Sequence, residues 1–256
     1  MMDELVAIIL PMFNEEKSIP ALQEMFSELP LPPGCNYLII VVNDGSNDNT
    51  LLLTTQWSLS DSRVHIISHT ENKGLGEAII TGFSEAIKLR STCIVSMDAD
   101  ATHPGDNIAD LVKAILDGAD IAIASRFAQG GGQEGVPAFR NILSLGARLF
   151  YKLAFPLRGV RDYTINFRAY RSFLVQKAFS GLQSPLLVSK TFSATVELLL
   201  KLAPLANNIQ EVPITVKYSS KKSPSKMKIM ATIQGSLRLL FMPATKFPLG
   251  RGLRIQ

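Results

Sequence analysis

Five short apolar runs punctuate the first half of the chain, at Leu5–Leu10, Tyr37–Val42, Val64–Ser68, Cys93–Met97 and Ile121–Ala124. Each is continuous rather than alternating, the pattern of a strand covered on both faces. Segments of helical pattern lie between them, at about Ile19–Leu29, Thr50–Leu59, Gly76–Leu89 and Asn107–Leu116. Strand–helix alternation at this spacing requires crossover connections, so it predicts an α/β fold with a mostly parallel central sheet and flanking helices. Ser46 and Asp48 are expected to give the second helix its N-cap and an acidic first turn. With 256 residues, 46% of them hydrophobic, the chain can cover such a sheet as one domain.

After Ser125 the texture changes. Ala128–Val136, with Gly130-Gly131-Gly132, predicts a polar loop outside any packed element. Phe139–Phe155 predicts an amphipathic helix: Phe139, Ile142, Leu143, Leu149, Phe150 and Leu153 form its apolar stripe, while Arg140, Ser144, Arg148 and Lys152 recur every four residues. Thr191–Leu202 predicts a helix, Ile209–Val216 a strand, Lys221–Lys226 a basic loop, and Met227–Phe241 a last amphipathic segment stopped by Pro243. No run reaches the roughly 18 apolar residues of a membrane span. The N-terminus carries Asp3 and Glu4 where a leader would be basic. Cys35 and Cys93 have no metal-type spacing, which fits a reducing cytoplasm. The net charge of +4 is concentrated as basic residues in the second half and suits an anionic partner. Aromatic residues are not interleaved as stacking platforms, so a membrane surface is expected and nucleic acid is not.

In parallel α/β sheets, ligands bind beyond the carboxyl ends of the strands. The first strand here runs into Pro11-Met12-Phe13-Asn14-Glu15, the second ends at Asn43-Asp44-Gly45-Ser46, and the fourth at Asp98-Ala99-Asp100. One such corner is an ordinary turn; three on one rim point to a site. Asp98 and Asp100 bring two hard oxygen ligands to one point, where their repulsion becomes attraction for a divalent cation that can bridge phosphates. A calcium helix–loop–helix is excluded, because its sixth position would be His103 and its twelfth Ala109. The plainer reading has both acids capping the helix that begins near Asp106. His103 lacks the neighbouring His or Cys of a zinc site and is expected in a loop or supporting position.

Taken in order, Pro11-Met12-Phe13-Asn14-Glu15, Asn43-Asp44-Gly45-Ser46, Asn72-Lys73-Gly74, Asp98-Ala99-Asp100, Ser125-Arg126 and Asp162–Arg168 resemble the motifs of family 2 glycosyltransferases. The nearest branch is that of the dolichyl- and polyprenyl-phosphate sugar synthases. The resemblance implies a GT-A nucleotide-sugar transferase fold over residues 1–229, with a nucleotide-sugar half to about residue 126 and an acceptor half beyond. Residues 230–256 would be an amphipathic C-terminal segment without a transmembrane helix. It implies inverting transfer of a hexose from a nucleotide sugar to a polyprenyl phosphate, assisted by a divalent metal, Mg or Mn. By the same carry-over, Pro11, Phe13, Glu15 and Asp44 would hold the nucleoside, and Asp98 and Asp100 the diphosphate and metal. Arg126 and Lys226 would face the donor phosphates, and Arg140 and Arg168 the acceptor phosphate. Asp162, which opens its motif, would position the acceptor or orient a cleft arginine.

Three positions depart from the family pattern. Asn43 replaces a frequent first Asp, Thr102 a side chain that in some members completes the metal site, and Asn166 a small Gly, which is expected to narrow the acceptor entrance. A phosphate acceptor is already ionised near neutral pH, its second pKa being about 6, and so needs positive charge rather than a base. Transfer to a hydroxyl of a glycolipid or polysaccharide would need a base, for which Glu197 is the candidate; Glu197 as the buried partner of an arginine is the other reading. A silent lipid- or nucleotide-binding subunit is the non-enzyme alternative. The chain is expected to sit peripherally on the cytoplasmic face of the membrane, directly or through a membrane-protein partner.

Overall fold

The computed structural model describes residues 4–181, 186–217 and 229–241. Strands form where the continuous apolar runs stand: β1 (Glu4–Met12), β2 (Cys35–Asp44), β3 (Val64–His69), β4 (Cys93–Ser96) and β5 (Ile121–Ser125). Val6–Leu10 and Ile39–Val42 are wholly buried, as strands covered on both faces must be. The crossovers carry α1 (Ile19–Ser27), α2 (Thr50–Ser60), α3 (Leu75–Lys88) and α4 (Asp106–Leu116). The helices α6 (Ser172–Gly181) and α7 (Ser193–Leu202) complete the covering layers, and every residue of α7 is buried. The mostly parallel sheet expected from the alternation is therefore present.

One strand breaks the parallel order in a way that decides where the site is. The sheet has seven strands in the order β3-β2-β1-β4-β7-β5-β8, with β7 (Arg168–Arg171) antiparallel to both β4 and β5, and β8 (Ile209–Pro213) parallel to β5. Because β7 runs backwards, the residues that lead into it lie at the rim where β4 and β5 end. The segment 162–167 is thereby delivered beside Asp98 and Arg126.

The long strand expected over Ile209–Val216 is divided at Ile214. Pro213, which has no N–H, ends β8, and Ile214 N–H donates to Ser125 O (3.2 Å). The chain then forms β9 (Thr215–Lys217), which pairs with β6 (Gly132–Glu134) in a small parallel sheet. Ala128–Val136 is thus not the unpacked loop its composition suggests: Gly132 N–H donates to Ile214 O (2.9 Å), and the pairing is main-chain throughout.

Two helices turn their apolar sides outward. On α5 (Ala138–Ala154), Phe139, Ile142, Leu145, Leu149 and Leu153 are 52–75% exposed, while Asn141, Ser144, Ala147, Arg148 and Tyr151 face the protein. On α8 (Ile229–Leu240), Met230, Ile233, Leu237 and Leu240 are exposed, whereas Thr232, Gly235, Ser236 and Leu239 face inward against α7 and Tyr151. Tyr151 and Leu239 anchor these helices to the protein, with Phe150 packed on the core, yet each helix also leaves a row of large apolar side chains exposed. No helix among the described residues is long and apolar enough to cross a membrane.

Candidate active site

The ends of β1 and β2 are laced into one corner. Asn14 N–H donates to Ser46 Oγ (2.9 Å) and Asn47 N–H to Asn14 Oδ1 (2.8 Å); Glu15 N–H donates to Thr50 Oγ1 (2.8 Å) and Glu16 N–H to Asp48 Oδ2 (3.2 Å). Ser46 therefore holds the β1–α1 turn and does not cap α2, whose N-cap is Asn49; Asp48 Oδ1 does accept from Thr50 N–H in the first turn (3.0 Å). Gly45 lies at φ +65, and a Cβ there would stand 2.4 Å from the Glu71 carbonyl carbon, so only glycine lets these loops meet. Pro11, Phe13 and Glu15 are half-buried on this corner, and Ser18 Oγ–H donates to the Glu15 carboxylate (2.9 Å).

Asp44 is buried beneath the corner and organises a second loop. Its Oδ1 accepts from Lys73 N–H (2.9 Å) and lies 2.7 Å from His69 Nδ1; its Oδ2 accepts from Gly74 N–H (2.8 Å). His69 Nε2 in turn lies 3.0 Å from Thr81 Oγ1 on α3. The carboxylate expected to read the nucleoside thus also fixes the Asn72-Lys73-Gly74 turn. Leu75 N–H donates to Lys190 O (3.0 Å), and Gly74, at φ +96, leaves only 2.5 Å between that oxygen and an added Cβ. The 188–190 strap is held from below by Glu197, which accepts from Val188 N–H (3.0 Å) and Ser189 N–H (2.8 Å). Glu197 is wholly buried with Lys201 (2.8 Å). Its partner is a lysine rather than the expected arginine, and burial inside α7 removes it as a base at the cleft. The four-residue spacing of Glu197 and Lys201 was a legible signal for that pair; nothing in the sequence marked His69 or Thr81.

At the end of β4 the chain turns through Ala101, whose φ of 60 is costly for a residue with a Cβ. Thr102 donates to Asp100 Oδ1 from both its N–H (3.2 Å) and its hydroxyl (2.6 Å), so this departure from the family pattern orients the second acid. Asn166 Nδ2–H donates to Asp98 Oδ1 (3.1 Å). His103, beneath this turn, stacks on Phe167 with ring centroids 4.8 Å apart.

Arg126 leaves the end of β5 and meets Asp162 as a two-pronged pair, Nε to Oδ2 at 2.8 Å and Nη2 to Oδ1 at 2.9 Å, with Nη2 also donating to Thr164 Oγ1 (2.8 Å). Burial by itself would lower the pKa of Arg126 and raise that of Asp162, but their mutual attraction prevails: Arg126 is raised and Asp162 lowered. The charge of Asp98 raises Arg126 further. The result is an arginine fixed in plane and direction beside an acidic corner.

Among the described residues no third His, Cys, Asp or Glu joins Asp98 and Asp100 in one cluster. A divalent ion suits such a pair when the remaining oxygens come from a diphosphate and water, the usual habit of magnesium. Asp98, Asp100, Arg126 and Asp162 are brought to one rim, with Pro11, Phe13, Glu15 and Asp44 at its β1–β2 corner. Arg168 is not. It is wholly buried, donating to Thr195 O (2.6 Å) and Tyr163 O (2.7 Å), and it braces the core behind the cleft instead of facing an acceptor. Asn166 is likewise buried, with its amide turned to Asp98. Arg140 lies on α5 with its side chain outside the described residues, as is Lys226 altogether. Arg148 stacks on Phe127, 4.6 Å from the ring centre, with Arg126 over the same ring at 5.4 Å.

Residues 7–179 match glycosyl transferase family 2. A dolichol-phosphate mannosyltransferase of Pyrococcus furiosus is 39% identical over 173 residues, 67% of this chain and 47% of that protein, so the chain spans about half of that relative's length. A polyprenol monophosphomannose synthase of Mycolicibacterium smegmatis is 31% identical over 210 residues, 81% of this chain and 76% of its own. Glucosyl-3-phosphoglycerate synthase of Mycobacterium tuberculosis, solved with Mn2+, UDP and glucosyl-3-phosphoglycerate, has a TM-score of 0.65 at 16% identity, covering 94% of this chain and 81% of that one. That likeness speaks to the fold, which is GT-A-like.

Proposed function

This chain belongs to glycosyl transferase family 2, and we propose that it transfers a hexose, with inversion, from a nucleotide sugar to a polyprenyl phosphate at the cytoplasmic face of a membrane. The observation that carries this reading is the meeting, on one rim, of the Asp98–Asp100 corner with the Arg126–Asp162 pair. The nucleoside would lie at the laced corner of Pro11, Phe13, Glu15 and Asp44, with its diphosphate toward Asp98, Asp100 and Arg126. Lys226 would close over it. A magnesium or manganese ion on the two acids, when bound, supplies charge to stabilise the departing diphosphate. Arg126 adds a preorganised cation, held in place by Asp162.

An ionised oxygen of the acceptor phosphate attacks the anomeric carbon as the bond from that carbon to the diphosphate oxygen breaks, so no proton need be removed. The burial of Glu197 favours this acceptor over a hydroxyl, which would require a base. Arg140, on the helix beside the cleft, would help to place the phosphate. The outward apolar faces of α5 and α8 support action at a membrane, since an exposed stripe of this kind suits the interface of a bilayer. The two mannosyl-transferring relatives make mannose the first donor to test. Purified chain supplied with polyprenyl phosphate vesicles, manganese and radiolabelled mannose, glucose or N-acetylglucosamine nucleotides should yield a lipid-extractable product labile to mild acid. No product from any donor would contradict the reading.

A further inference from the structure

Asn166 lies at the point where the antiparallel strand meets the acidic corner. Ser96, the last residue of β4, pairs with Arg168, the first of β7; continuing that antiparallel register two residues past Ser96 and two before Arg168 sets Asp98 opposite Asn166. The side chains use that placement. Ser96 Oγ–H donates to Asn166 Oδ1 (3.2 Å) and Asn166 Nδ2–H donates to Asp98 Oδ1 (3.1 Å). The direction is set by chemistry, since an ionised carboxylate can only accept, so the amide nitrogen must face Asp98 and its carbonyl the hydroxyl. Both Ser96 and Asn166 are buried, and a buried amide bonded at both ends cannot rotate without leaving a polar atom unpaired.

We propose that Asn166 is a positioning residue for Asp98: its amide, itself held by the Ser96 hydroxyl, fixes the orientation in which the Asp98 carboxylate meets the ion and diphosphate. This rests on the reading of Asp98 as an anchor for that ion. A residue that only filled space would touch Asp98 without changing how tightly the ion binds.

The test is Mn2+ affinity in the presence of uridine or guanosine diphosphate, followed by the EPR signal of the free ion, with kcat and donor KM measured separately. Asn166→Gly should bind Mn2+ about tenfold more weakly, the low end of what removing a ligand's hydrogen-bond partner does, and should lower kcat more than it raises KM. Ser96→Ala, a small change that keeps the fold, should shift both in the same direction by a smaller factor. Asn166→Asp, which replaces a donor with an acceptor, should lose more than Asn166→Gly. If Asp98→Asn weakens Mn2+ binding while Asn166→Gly and Ser96→Ala bind as wild type, the positioning role is overturned and the anchor stands. If Asp98→Asn leaves affinity unchanged, the anchor reading fails, and the role of Asn166 falls with it.

Discussion

Arg126 and Asp162 form one buried pair that carries both an acid limit on stability and the proposed role in transfer. Asp162 has a lowered pKa in the folded chain, so its contribution to stability is fully present above its unfolded value of about 3.9 and is lost as pH falls through the lowered one. Asp162→Asn should therefore remove part of the acid-side loss of stability below about pH 4, seen as a flatter dependence of thermal midpoint on pH. The same variant frees the Arg126 fork, and kcat should fall while donor KM changes little. Unchanged turnover would separate Asp162 from the chemistry. The motif residues were readable one at a time in the sequence, but what each one grips was not: Asp44 on Lys73 and Gly74, Asn14 on Asn47 and Arg126 on Asp162 are partners 29 to 36 residues apart.

At the level of elements, the strands that could be read were those with largely continuous apolar runs; the runs are most complete in β1 and β2, whose middles are wholly buried, whereas the edge strand β3 also carries His65 and Ser68. β7 escaped that logic. It is central in the sheet yet reads Arg168-Ala169-Tyr170-Arg171, and Arg168 survives burial only because two main-chain carbonyls accept from its guanidinium. β6 was hidden for another reason, since a strand held by main-chain bonds needs no side-chain pattern. α5 was readable as a helix, but its orientation was not, because an apolar stripe fits a core and a lipid surface equally well. Its outward stripe now gives a direct expectation. Leu145→Glu with Leu149→Glu should leave the thermal midpoint nearly unchanged, because exposed positions contribute little to folding, and should abolish co-flotation with anionic liposomes at low salt. Retained flotation would assign these leucines to another purpose.

For the whole molecule, the backward strand explains how a mostly parallel sheet gathers the Asp98, Arg126 and Asp162 segments on one rim. The net charge of +4 and the outward apolar residues of two helices are features that the proposed lipid-phosphate acceptor would require. The most direct measurement is the rate of sugar transfer to polyprenyl phosphate by Asp100→Ala, at saturating donor and manganese, in a protein shown to retain its thermal midpoint. A fall in kcat of about a hundredfold or more is expected, the scale lost when a preorganised stabiliser of developing charge is removed. Transfer at the wild-type rate would contradict the assignment of the β4 corner to the departing diphosphate.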